Sequence, residues 1–209
     1  MKERLSKLNE KYCVLGWLFL LLMPVLKIYL PASWGDENGV MENLQMVWLF
    51  LGVVWCWREA RSKDLPDWGG NTSAFWYSGL IFYILLIGRE VSWGRAFFMD
   101  VNGHMIQWEE MGIYGVLAHP IIGVLIVLLL FFLWRSKFWI FAVKMWKKFP
   151  YPELCLFFIY VFAQHVAEHM HCPLWDGELA EELAETGAYI VMEWLTRHIA
   201  TDFKRGEWA

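Results

Sequence analysis

No cysteine pair at redox or metal spacing and no soluble-domain stretch interrupts this 209-residue chain. Cys13, Cys56, Cys155 and Cys172 stand singly, which removes a CxxC redox motif and a thiolate zinc knuckle from consideration. Three of them sit in apolar runs and read as small buried hydrophobes. No basic patch suggests nucleic acid as a partner. No small-residue cleavage site follows the first apolar run, so that run is expected to stay as a membrane helix. What the chain has instead is apolar surface. Its 58% hydrophobic and 18% aromatic content exceeds what a soluble domain of this size needs to bury. The expected class is all-α, a polytopic membrane protein forming one transmembrane helical domain.

Six spans are predicted, at about 12–30, 40–57, 73–91, 112–134, 151–172 and 178–200. The fourth is the least ambiguous, and its polar break is His119 followed by Pro120. The last is the weakest, because its apolar stretch from Ala188 to Leu195 is short and contains Glu193, for which Arg197 stands one turn on as a partner. Between the fourth and fifth, Arg135, Lys137, Lys144, Lys147 and Lys148 interleave with Phe138, Trp139, Phe141, Val143 and Trp146. That pattern suits a segment lying on an anionic leaflet. Lys and Arg gather at the N-terminus, at 58–63, at 135–148 and in the tail, whereas 31–39, 92–111 and 173–185 are acidic or mixed. The positive-inside rule then puts both termini in the cytoplasm of a bacterial inner membrane. Trp34, Trp93, Trp108 and Trp175 would mark the outer interface, and Trp57, Trp134, Trp139 and Trp146 the inner one.

That topology gathers polar residues toward the outer side. Half of the six histidines fall within Gln164–Cys172, where His165 and His169 are spaced to share one helix face while His171 is turned away. Gln164 and Glu168 accompany them. Glu42 and Gln45 open the second span, Arg89 and Glu90 close the third, and Ser92 and Arg95 follow in the next loop. His119 lies about 10 Å into the fourth span, and Glu178, Glu181, Glu182 and Glu185 open the sixth. Ionisable groups in a span usually face the bundle interior or a cavity. A pocket open to the periplasm is therefore expected, with His119, His165 and His169 as metal ligands. Three imidazoles and an open position make a catalytic zinc arrangement, and another divalent metal is also compatible. Each feature also has a purely structural account. The helix-six glutamates fit the first turns of a helix, Glu42 with Asn43 and Gln45 fits an N-terminal cap, and Arg89 with Glu90 fits an interfacial salt bridge. His104 and His198 read as surface residues.

One histidine followed far downstream by HxxxH, with helix-end carboxylates and a serine, resembles the membrane hydrolase superfamily of alkaline ceramidases and adiponectin receptors. The resemblance implies a helical membrane protein in which His119, His165 and His169 hold zinc, with Glu42 and Ser92 as loose matches to the acidic and serine positions. Six predicted helices rather than seven, and the lack of a serine and histidine spaced on one early helix, are the departures. The segment Arg89–Arg95 also resembles one in small bacterial multi-pass proteins of no assigned activity. Four functions follow. The first is a metal-dependent hydrolase or transferase on a lipid or lipid-linked substrate, with Glu90 or Glu42 as general base and Arg89 or Arg95 holding an anionic headgroup. The second is proton or metal-ion transport. The third is a haem b protein with axial His119 and His165 or His169. The fourth is a non-catalytic assembly subunit of a membrane partner or a homo-oligomer.

Overall fold

Backbone amides of an apolar chain bond most locally as helix, and the computed structural model of this protein is predominantly helical among the residues it describes. It describes residues 2–36, 39–63, 69–97, 106–146, 149–169 and 175–205. Seven α-helices lie among them: α1 (Lys2–Tyr29), α2 (Val40–Ala60), α3 (Thr72–Glu90), α4 (Ile113–Ser136), α5 (Phe138–Met145), α6 (Tyr151–His169) and α7 (Glu178–Arg205). Each of the six predicted segments holds a helix, and α5 occupies part of the basic amphipathic stretch. Among the described residues three helices are long and apolar enough to cross a membrane: Tyr12–Tyr29 of α1, then α2 and α4. α3, α6 and α7 are not among them.

Local chemistry sets several boundaries. Asn71 caps α3 by accepting the Ala74 amide at 2.9 Å. Lys137 takes a left-handed conformation with φ 52°, which ends α4 and redirects the chain into α5. Asn43 reaches back to the Gly39 carbonyl at 2.7 Å, fixing the entry to α2.

The chain forms two units, residues 1–48 with 149–201 and residues 49–148 with 202–209. The first unit contains α1, the start of α2, α6 and most of α7. Its core is Met23, Met41, Leu156, Tyr160, Leu179, Leu183, Ala184, Ala188 and Val191. Glycines make the close approach possible. A Cβ on Gly187 would strike the Tyr160 ring, and one on Gly16 would meet Leu156 Cδ2 at 2.6 Å. Small residues at helix crossings are the usual means of dense packing between membrane helices. The Tyr160 hydroxyl then donates to the Gly16 carbonyl at 2.7 Å. Trp175 Nε1 donates to Ala163 O at 2.8 Å, and Lys27 Nζ pairs with Asp176 Oδ1 at 2.5 Å, pinning the approach to α7.

In the second unit α3 lies along α4. The Tyr83 ring fills the space left by Gly52, and Cys56 Sγ lies against Gly79, so α2 and α3 meet through small residues. Phe75 and Phe141 ring centroids are 4.7 Å apart, and those of Tyr77 and Phe132 are 5.6 Å apart. These rings hold α5 and α4 to α3.

Candidate functional site

The most buried helix is also rich in polar residues. From Leu183 to Tyr189 every residue of α7 is buried, so no side of that stretch faces out. Glu182, Glu185, Thr186, Tyr189, Glu193 and Arg197 recur at intervals of three and four, which aligns them as one stripe. Gln45 of α2 meets the stripe at one end, its Nε2 donating to Glu182 Oε2 at 2.6 Å and to the Glu182 carbonyl at 3.2 Å. One turn on, the Tyr189 hydroxyl donates to Glu185 Oε1 at 3.1 Å. Glu193, 1% exposed, pairs with Arg197 at 2.9 Å, the i,i+4 pairing expected from the sequence. The Arg197 guanidinium lies 5.0 Å over the Tyr12 ring. The stripe ends where His198 Nδ1 and Glu153 Oε1 approach to 3.0 Å. His198 was expected at the surface. It is instead half-buried, because α6 brings Glu153 to meet it.

Charge is thus not confined to the end of the bundle where the sequence concentrates it. Glu59, Glu153, Glu193 and Asp202 are all buried. Sequence reasoning missed Glu153 and Glu59 as site residues, since each sits beside a helix end where a glutamate ordinarily faces water. Their signal was an acidic residue adjoining an otherwise basic loop.

In the second unit the chain leaving α3 makes an unusual turn. Ser92, Trp93 and Gly94 have φ of 46°, 54° and 93°, and two of these residues carry side chains that disfavour such values. The turn folds Trp93 back onto α3, where a Cβ at Gly88 would meet its ring at 2.6 Å. Arg95 is placed with its guanidinium 5.3 Å over the Trp108 ring and its Nε donating to Ile106 O at 3.1 Å. Trp108 in turn meets the His119 ring edge-on at 5.4 Å. Arg95 and His119, both singled out in the sequence, therefore flank one indole. Arg89 Nε and Glu90 Oε1 are 3.6 Å apart, the arginine side chain 53% exposed and the glutamate 6%. This surface offers cationic and aromatic contacts to an anion.

The histidines divide accordingly. His165 and His169 stack with centroids 4.5 Å apart, and Glu168 Oε2 is 3.3 Å from His169 Nδ1. Both rings are exposed, as is His119. Among the described residues no three His, Cys, Asp or Glu side chains are grouped to hold a metal ion. Gln164 and Glu42 are half-buried at their helix ends, and Ser92 lies in the turn. His171 and His104 fall outside the described residues. No protein-family model matches the chain, and neither a curated protein nor a solved structure does.

Proposed function

We propose that this chain is a six-pass protein of a bacterial inner membrane, both termini cytoplasmic, that relays protons along the buried face of α7. The observation that carries this reading is the continuity of the stripe. From Glu182 to His198 it covers about 24 Å of helix, with carboxylate, hydroxyl, phenol, guanidinium and imidazole groups at successive turns. Each ionisable group costs a few kcal/mol in a span unless paired or hydrated, and chains of carboxylates and histidines inside membranes mark proton pathways. A scaffold helix needs no such sequence of exchangeable groups. Proteoliposomes carrying the pure protein test the idea under a potassium diffusion potential. Internal pH should change faster than in empty vesicles, and Glu193→Gln should remove the excess. Flux no greater than in empty vesicles overturns the relay.

A second reading is favoured by the stacked His165 and His169 beside Glu168. It is the metal-dependent hydrolase or transferase acting on lipid at the outer leaflet, with zinc held by these two imidazoles and His119. Two of its three nitrogen donors stand together on α6, while the described residues hold no complete ligand set, so no catalytic step is derived. Stoichiometric zinc in purified protein, lost on His165→Ala, is its requirement. An absorption spectrum of the same sample tests for haem b. Two histidines four apart on one helix do not reach both faces of a haem, so that alternative requires His119 as an axial ligand.

A further inference from the structure

α7 carries three threonines, and two bond as helical threonines commonly do. Thr196 Oγ1 donates to Met192 O at 2.9 Å and Thr201 Oγ1 to Arg197 O at 2.8 Å. Thr186, 3% exposed, does not. The carbonyl one turn before it, Glu182 O, accepts Gln45 Nε2 instead. That bond also dictates the orientation of the Gln45 amide, because only its NH2 group can serve both the Glu182 carbonyl and the Glu182 carboxylate. Gln45 is wholly buried, and its Oε1 is left without a hydrogen-bond partner among the described residues, as is Thr186 Oγ1. Two orphan oxygens thus adjoin the same turn of α7, next to a carboxylate.

We infer that Gln45 Oε1, Thr186 Oγ1 and a Glu182 carboxylate oxygen bind a sodium ion. The donors are all oxygen, which selects a hard cation over zinc or copper. Magnesium keeps several of its waters and calcium takes six to eight oxygens. Two buried neutral oxygens beside one half-buried carboxylate suit a smaller charge. An ion held there occupies the carboxylate at the head of the α7 stripe, so the site regulates entry to it. That role rests on the relay reading, whereas the binding itself does not.

Equilibrium binding of radiolabelled sodium to the detergent-purified full chain tests the site. One saturable site is expected, displaced by unlabelled sodium chloride and not by choline chloride. Thr186→Val keeps the shape but lacks the hydroxyl and should weaken binding about tenfold, while Thr186→Ser retains it. No saturable binding, displacement by calcium or magnesium in preference to sodium, or undiminished affinity in a folded Thr186→Val each overturns the proposal. The wild-type measurement decides even where a variant fails to fold. Sodium binding without proton flux removes only the relay, and flux without sodium binding removes only the site.

Discussion

α4 and α7 reverse the arrangement of a water-soluble protein. α4 is the most apolar of the candidate spans, yet only 6% of its apolar window is buried. α7 carries acidic, basic and hydroxyl groups along one face and is buried on all sides through its middle. In water the costs of exposing apolar surface and burying charge would both oppose this layout. In hydrocarbon an apolar helix loses nothing by facing out, and a polar one must be enclosed. The pair is therefore compatible with hydrocarbon around α4, as its length and apolar composition are.

The contrast can be broken from either side. The largest effect is expected on α4. Val124, mid-helix and 58% exposed, should tolerate any apolar residue, but Val124→Arg should cost about 3 kcal/mol of insertion free energy, read as the inserted fraction in a translocation assay. Unchanged insertion would mean that this face meets water or protein. On α7, Arg197→Met removes the guanidinium 2.9 Å from Glu193. The cost should be about 2 kcal/mol, less than for a fully buried pair because Arg197 is 27% exposed. Adding Glu193→Leu should recover most of it, and failure to recover would show that the pair has further dependents. Gly187→Val sharpens the packing side, since its side chain must displace the Tyr160 ring. A loss of about 1–3 kcal/mol is expected in detergent unfolding. Tyr160→Phe is the mildest, removing the hydroxyl that donates to the Gly16 carbonyl, at about 1 kcal/mol.

The extents of these helices were largely legible in the sequence. The start at Glu178, the 72–90 helix and the long apolar 113–136 helix lie within one or two residues of the expected bounds. The Glu193–Arg197 pair was legible too, because i,i+4 geometry is local. Enclosure was not. Composition made the last segment the poorest span, and nothing within it says that neighbours surround it. Gln45 and Glu182 are 137 residues apart and Glu153 and His198 are 45 apart, so those contacts exist only after helices pack. The turn after α3 was equally hidden, since Ser92 and Trp93 are residue types that do not announce a positive φ. The proposed three-histidine centre drew on spacing within α6, which the stacked His165 and His169 obey, and on a convergence with α4 that spacing alone does not specify.

The first unit joins residues 1–48 to residues 149–201, with 100 residues of chain between the two pieces. At ordinary rates of synthesis, about 5–20 residues per second, the first piece waits some 5–20 seconds for the second to begin. α7 follows the other six described helices in the chain and, on the six-pass proposal, is the one least able to remain in lipid by itself. On that proposal its lateral entry depends on a receptacle already lined by Gly16, Met23 and Tyr160, and a change that delays α6 should send α7 to the quality-control proteases before any defect in the finished protein is felt.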